Sequence, residues 1–323
     1  MKDTKIKNIL VIFDSKISSK NQAVGLVESL KKKIKGISYD KFEVKKSFYS
    51  KFPNLILFFL YKYGLITLNQ NLIKKYYVII SCGRITAPIS LFLKQKTNSR
   101  IIHILNPYYK INYFDKVILP KHDKNSNKNI ITINGSLVNE QRLKINNQLK
   151  KKFEKKYPIE TSKKIIIILI GGNSKSYSLK PDDLNNFIKS LERIYNNQNK
   201  LVFLFSRRTP TFFREGLKNF FSKNCIICND DFINPYWYFL KIANYIIVTS
   251  DSVSMTSEAI FTGKPVYIYY FKKSRKKIIY FHRFLEKEKI TKRFNGKIKR
   301  WKNISNSENE KVAKQITRYL EAN

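Results

Sequence analysis

Three short stretches in the second half of the chain combine residue types suited to holding a phosphorylated ligand. Gly171-Gly172-Asn173-Ser174 follows directly on Lys164–Ile170, an apolar run of five isoleucines and a leucine after a basic pair. Glycines at a strand's carboxyl end let backbone N–H groups approach a phosphate, and a following helix adds its positive end. Gly171, Gly172 and Ser174 are therefore candidate diphosphate contacts, with an ordinary tight turn as the alternative. Ser206-Arg207-Arg208-Thr209-Pro210 follows the strand pattern Leu201–Phe205. The guanidinium forks of Arg207 and Arg208 suit a phosphate, and a solvated basic turn is the alternative. Thr249-Ser250-Asp251-Ser252-Val253-Ser254-Met255 follows the strand pattern Tyr245–Val248. Hydroxyls and open N–H groups at a helix start make an anion or sugar site of Ser252, Ser254 and Met255. Glu258, one turn on, is placed to accept hydrogen bonds from ribose hydroxyls. A serine cap followed by Ser257-Glu258 accounts for the same residues as a near capping box.

The first half offers less. Cys82-Gly83-Arg84 sits at a strand-to-helix turn, and Pro120-Lys121-His122-Asp123 follows a strand pattern at Lys116–Leu119. His122, beside Asp123, is the candidate general base, against a plain surface histidine. His103 lies in an apolar strand and reads as structural, and His282 has no evident role. Cys225 and Cys228 form a CxxC on a strand, where residues three apart point to opposite faces, so they neither chelate nor crosslink. Pro53–Tyr63 is apolar and aromatic, with Lys51 and Lys62 at its ends. Lys272-Lys273, Arg275-Lys276-Lys277 and Phe281–Phe284 make a second basic-aromatic stretch. Each fits a lipid-facing patch or a core helix with solvated lysines, the second reading being preferred for Pro53–Tyr63.

The elements that must position these residues alternate. Ile6–Phe13 reads as a strand, Asp14–Asn21 as a polar loop and Gln22–Lys33 as a helix. Val78–Ser81, Arg100–Leu105 and Lys116–Leu119 read as further strands, with a helix near Ala87–Lys94. After the lysine-rich stretch Lys144–Lys156 and Pro158 the pattern restarts. Strands at Lys164–Ile170, Leu201–Phe205, Asn224–Cys228, Tyr245–Thr249 and Pro265–Tyr270 alternate with helices at Asp182–Tyr195, after Pro210, Tyr236–Ala243 and Ser254–Thr262. Near-continuous apolar strands suit a parallel sheet covered on both faces. The expected fold is α/β, two Rossmann-like domains facing across a cleft, over residues 1–150 and 151–305, with a last helical segment at 306–323. Ligands of such sheets bind outside the strands' carboxyl ends.

Composition sets the bounds. At 323 residues and 38.3 kDa the chain suits two domains and a real core. It has no apolar run of 18 residues, so no spanning helix is expected. The stretch Ile9–Phe13 is too short for a signal peptide and no small-residue cleavage site follows. Three cysteines make no disulfide framework. A soluble cytoplasmic chain is expected. The net charge is +40, from 51 Lys and 12 Arg against 23 acids. This favours a polyanionic partner, although AT-rich codon usage raises Lys, Asn and Ile together. No recognised nucleic-acid module is present, and no specific nucleic-acid binding is expected.

Taken together, GG-S at Gly171–Ser174, SRRTP at Ser206–Pro210, NPY at Asn234–Tyr236, TSDSVSMTSEA at Thr249–Ala259 and GKPV at Gly263–Val266 resemble the mitochondrial fission protein family named in plants for its elongated-mitochondria phenotype, which has many bacterial members. The first half agrees at Asp14 with Asn21-Gln22, Gly83-Arg84, Phe114-Asp115 and Pro120–Asp123. One departure is the first loop, Asp14–Gln22, which lacks the family's usual glycine. The resemblance implies a GT-B-like fold whose second domain binds a nucleotide-diphosphate sugar and whose last helix packs back on the first. It places Gly171–Ser174 and Arg207/Arg208 at the diphosphate, Ser252–Met255 at phosphate or sugar and Glu258 at ribose. Asn21, Gln22, Gly83 and Arg84 fall on the acceptor or cleft side. The implied activity is metal-independent glycosyl transfer, with His122 or Asp123 as base, no cofactor beyond the nucleotide-sugar substrate, and a lipid-linked or membrane-associated acceptor. A non-enzymatic, membrane-associated adaptor is the other reading, and either is compatible with peripheral attachment to an anionic membrane's inner face.

Overall fold

The computed structural model describes residues 6–123, 127–160, 162–174, 177–221, 225–228, 234–272, 276–301 and 308–322. Lys273 and Arg275 of the second basic stretch, and the 305/306 boundary, lie outside the described residues. The chain divides into two compact units, Met1–Gln141 with Ser307–Asn323, and Arg142–Asn306.

The first unit runs β1 (Lys7–Asp14), α1 (Ile17–Lys31), β2 (Ile37–Val44), α2 (Asn54–Lys62), β3 (Val78–Cys82), α3 (Ala87–Thr97), β4 (Ile101–Ile104), β5 (Lys116–Pro120) and β6 (Ile130–Ile133). Its six strands are parallel, in the order β2-β1-β3-β4-β5-β6. Alternation in β1 divides the core. Ile9, Val11 and Phe13 face one apolar cluster, Leu10 and Ile12 the other. Helix α1 begins at Ile17, earlier than the sequence pattern implies, because the Asp14 carboxylate accepts the Lys16 N–H at 3.2 Å and the Lys16 carbonyl then accepts the N–H groups of Ser19 and Lys20. Asn21, expected in the loop, is therefore a buried helix residue, and so is Gln22, where the sequence pattern already starts the helix.

The second unit runs α4 (Asn147–Lys156), β7 (Lys164–Ile170), α5 (Pro181–Glu192), β8 (Asn199–Phe205), α6 (Thr211–Phe220), β9 (Cys225–Cys228), α7 (Tyr236–Ile242), β10 (Tyr245–Thr249), α8 (Val253–Phe261), β11 (Val266–Tyr269), α9 (Lys276–Lys287) and β12 (Lys292–Arg293). Its parallel strands order as β12-β11-β10-β7-β8-β9. The lysine-rich α4 joins this unit because its one buried apolar residue, Phe153, stacks on Tyr238 with ring centroids 5.1 Å apart. Cys228 is buried and Cys225 half-buried, as their opposite faces dictate.

In each sheet the first strand has successors on both sides. The chain leaves β1 for β2 on one side and β3 on the other, and leaves β7 for β8 on one side and β10 on the other. Loops at the carboxyl end of such a strand diverge, and the divergence opens a crevice.

The last helix, α10 (Glu308–Glu321), belongs to the first unit, where Val312, Ala313, Ile316 and Leu320 join the core beside α1. Asn309 anchors it. Its amide accepts the Val138 N–H at 2.9 Å and donates to the Val138 carbonyl at 2.9 Å, and it is 2% exposed. Asn309→Ala leaves both backbone groups buried and unpaired, and should cost about 2 kcal/mol. Faster hydrogen exchange across the α10 amides checks this, and unchanged protection there would refute the anchor.

Candidate functional site

The three motifs of the second unit meet at its crevice, on the loops after β7, β8 and β10. They are interlocked by one carboxylate. Asp251 accepts the Gly172 N–H at 2.9 Å and the Thr249 hydroxyl at 2.7 Å, and lies 3.6 Å from the Arg208 guanidinium. The Thr249 hydroxyl also accepts the Gly171 N–H at 2.8 Å. A Cβ at Gly171 would fall 1.8 Å from the Asp251 carboxylate, and one at Gly172 would fall 2.1 Å from the Arg208 backbone. Both glycines are fixed by close approach. The β8 turn is pinned from within: Thr209 donates its hydroxyl to the Gly171 carbonyl, and Arg214 of α6 donates to the Ser206 carbonyl at 2.8 Å.

This geometry corrects one expectation. The N–H groups of Gly171–Ser174 do not face outward toward a phosphate. Gly171 and Gly172 donate to Thr249 and Asp251, Asn173 donates to the Arg208 carbonyl at 2.9 Å, and Ser174 to the Tyr177 carbonyl at 2.8 Å. The open donors lie instead at α8. Its cap is Ser252, not Ser254, and the Ser252 hydroxyl accepts the Met255 N–H at 3.3 Å. The N–H groups of Val253 and Ser254 have no partner among the described residues. Arg207 is exposed, also without a partner among them. Two free N–H groups, a helix dipole and an uncommitted guanidinium are chemically suited to an anion.

Glu258 lies four residues past Ser254, about 6 Å along the helix axis. Tyr236, the tyrosine of the NPY motif, donates its hydroxyl to Glu258 Oε2 at 2.7 Å. Burial, then the Glu258 charge, push the Tyr236 phenol well above its ordinary value, so it remains a donor. Sequence reasoning missed Asp251, Tyr236 and Arg214 as site-building residues, although the first two stood inside quoted motifs. It also gave His282 no role. On α9, His282 is fully buried and donates from Nε2 to the Ser250 carbonyl at 3.0 Å, bracing the β10 turn.

The first unit's candidates are spread along its sheet edge. Gly83, with φ 102°, follows β3, and a Cβ there would fall 2.8 Å from the Asp14 carboxylate. Asn21 and Gln22 are 5% and 4% exposed, and their amide oxygens have no donor among the described residues. Arg84 turns away from this crevice. Its guanidinium donates to the carbonyls of Ser50 and Phe52 and to Asn54 Oδ1. His122 and Asp123 follow β5 in a short helical turn, half-buried and two strand spacings, about 10 Å, from the end of β3. His103 is structural. It is buried against the Ser81 hydroxyl at 2.7 Å, and burial lowers its pKa to about 3.

A separate cavity of about 820 Å³ opens in the second unit at Lys164, Asn244, Lys264, Arg300 and Trp301. It lies at the amino-terminal edge of the sheet, away from the converging loops, and is not assigned to the nucleotide. Among the described residues no helix is long and apolar enough to cross a membrane.

The family model described as Mitochondrial fission ELM1 matches residues 19–320. An uncharacterized protein, RP120, of Rickettsia prowazekii (strain Madrid E) is 33% identical over 90% of this chain and 91% of its own length. Mitochondrial fission protein ELM1 of Arabidopsis thaliana is 24% identical over 68% of this chain and 57% of its own. Among solved structures, a UDP-GlcNAc 2-epimerase from Neisseria meningitidis bound to UDP-GlcNAc aligns with TM-score 0.52 and 14% identity, covering 98% of this chain and all of that one. The glycotransferase of kitacinnamycin aligns with TM-score 0.54 and 10% identity, covering 98% and 96%. The fold is thus GT-B-like, shared with nucleotide-sugar epimerases and glycosyltransferases.

Asp251 yields a pH signature. Burial raises its carboxyl above the ordinary 3.8, outweighing the Thr249, Gly172 and Arg208 contacts that lower it. The folded state therefore holds this proton more tightly than the unfolded state. Its contribution to stability is complete below about pH 3.8 and is lost as pH rises through the folded value. In Asp251→Asn that dependence is gone. The melting temperature of the wild type minus that of the variant should fall from about pH 4 upward, and a difference that grew with pH would refute the assignment.

Proposed function

The chain belongs to the Mitochondrial fission ELM1 family, and from that premise we propose that it is a metal-independent glycosyltransferase that takes a nucleoside-diphosphate sugar at the second unit. The open N-terminus of α8 carries this reading. Val253 and Ser254 offer N–H groups to the diphosphate, and Arg207 and Arg208 supply the positive charge that a metal ion provides elsewhere. Glu258, oriented by Tyr236, takes the ribose hydroxyls. The solved neighbours include an epimerase bound to UDP-GlcNAc, which supports a nucleotide sugar as ligand. Gly171 and Gly172 act in this scheme by holding the loops together, and Ser174 closes its own loop on Tyr177.

The acceptor is assigned to the first unit. Buried amide oxygens of Asn21 and Gln22 that have no donor among the described residues match a ligand bearing hydroxyls. In the transfer, the acceptor oxygen forms a bond to the anomeric carbon as that carbon's bond to the diphosphate oxygen breaks. The electron pair leaves with the diphosphate, where the α8 N-terminus and the arginines stabilise it. The hydroxyl proton passes to His122, or to Asp123 beside it.

A thermal-shift series against UDP, GDP, CDP, ADP and TDP tests this reading. Nucleotide at 100 times its dissociation constant should stabilise the second unit by about 2.7 kcal/mol. Arg207→Ala should weaken binding about tenfold without changing the melting temperature of the free protein, because the exposed Arg207 has no partner among the described residues. Tyr236→Phe should weaken it too, through the disoriented Glu258. No shift with any nucleotide in a folded protein would sink the transferase and leave the non-enzymatic adaptor.

A further inference from the structure

Helix α2 contradicts the preference for a plain core helix at Pro53–Tyr63. Only Asn54, Leu57 and Phe58 of this helix are buried. The opposite face carries Leu55, Ile56 and Phe59 at 45%, 43% and 39% exposure, and Tyr63 follows at 68%. These positions share one side of a helix. The turn just before it adds Phe48 at 70% and Tyr49 at 43%. The exposed rings associate with one another: Phe59 stacks on Tyr63 at 6.0 Å and Phe48 meets Phe52 at 5.7 Å, while Phe59 also meets the buried Phe58 at 5.8 Å. A contiguous apolar face of this kind on a water-exposed unit marks an interaction site.

The face is also held in place. Arg84 donates to the Ser50 and Phe52 carbonyls and to Asn54 Oδ1. Asn54 in turn donates to the Arg84 carbonyl at 2.8 Å and the Pro107 carbonyl at 2.5 Å. A clamp of half-buried Arg84 and buried Asn54 thus ties the exposed segment to the β3 loop, and the aromatic rings project from a fixed backbone.

Charge identifies the occupant. Lys45, Lys46, Lys51 and Lys62 surround the face, all exposed, and Lys51 and Lys62 lie over the rings of Phe48 and Tyr63. Between Glu43 and Asp115 the chain contains no Asp or Glu. A second copy of this face would meet its own lysines, whereas a sheet of anionic phosphates would meet opposite charge and no acid of this segment. A nine-residue helix, about 13 Å long, lies in the plane of a bilayer interface rather than across it.

We propose that Phe48, Tyr49, Leu55, Ile56, Phe59 and Tyr63 form a docking face for an anionic lipid bilayer, the rings entering the headgroup region and the flanking lysines pairing with lipid phosphates. This stands on separate residues from the nucleotide site and does not rest on it.

The test is sedimentation of the full chain with vesicles of phosphatidylcholine containing about 30% phosphatidylglycerol, compared with phosphatidylcholine alone. The wild type should bind the anionic vesicles and lose them in high salt. Ile56→Ser with Phe59→Ser, both at exposed positions, should cut binding at least tenfold. Lys51→Gln with Lys62→Gln should cut it about 25-fold, about fivefold for each lysine. Lys151→Gln with Lys152→Gln, on exposed α4, should leave binding within twofold. Leu55→Trp supplies a second readout that requires no loss of function: its emission should shift to the blue on anionic vesicles. Equal losses from the α2 and α4 lysine pairs, or an unshifted Trp emission, would overturn the proposal in favour of diffuse charge. So would dimerisation abolished by Ile56→Ser with Phe59→Ser in a chain that ignores vesicles, which would make the face a contact between copies.

Discussion

The second unit is organised around one buried carboxylate. Asp251 is the point where three loops that share no sequence proximity become a single structure, because it takes a backbone N–H from one, a hydroxyl from its own, and faces a guanidinium from the third. Its burial costs more than these contacts return in ionisation, which is why its carboxyl titrates high. The arrangement persists because the alternatives are worse. Without Asp251, the Gly172 N–H and the Thr249 hydroxyl lose their partners inside the protein. With any side chain at Gly171, the carboxylate has nowhere to sit. Strain or cost concentrated at loop junctions is expected where a scaffold presents a site rather than merely closing a core.

That interlock also divides labour among the motifs. The glycine pair gives the tight approach, and the open donors move one loop over to α8. The distinction matters for the physics of anion binding. N–H groups already donating to Thr249 and Asp251 are neutral to a phosphate, whereas Val253 and Ser254 present unspent donors at the positive end of a helix. The β10 turn carrying that helix is held from below by Tyr269, whose carbonyl accepts the Ser250 N–H at 2.9 Å, and from the side by His282. The helix start is thereby fixed relative to the sheet.

Much of this was legible in the residues and some was not. Most strands of isoleucine and valine, and the glycine, arginine and hydroxyl turns after them, are local signals and were read in place, the short β6 excepted. Strand β2 was not, because its pattern changes phase. Ile37 and Tyr39 pack on one apolar cluster while Phe42 and Val44 pack on the other, so no single alternation runs through it. Helix α9 hid behind its lysines: Phe281, His282 and Leu285 are the buried stripe, and the histidine broke the apolar count. For Asn21 a polar run suggested a loop, where the Asp14 turn starts a helix at once. Arg84 was placed on the acceptor or cleft side, yet its guanidinium partners Ser50, Phe52 and Asn54 lie 30 or more residues away in sequence, a tertiary fact that no local pattern carries.

The charge imbalance looks different once the acids are located. Asp14, Asp115, Asp183 and Asp251 each accept a backbone N–H, from Lys16, Ile101, Lys180 and Gly172 respectively. Each such bond terminates or joins an element, and neither lysine nor asparagine reproduces an ionised acceptor there. Base-composition drift toward lysine is therefore free on solvated faces and blocked at these four positions. These four acids are spent on architecture, while others, such as Asp40 and Glu215, are exposed and ion-paired with surface lysines. A surface with this excess of cations repels its own copies and is attracted to any polyanion, with selectivity left to the places where fixed geometry adds to charge. In the described residues those places are two: the α8 helix start beside Arg207 and Arg208, and the clamped aromatic face of α2.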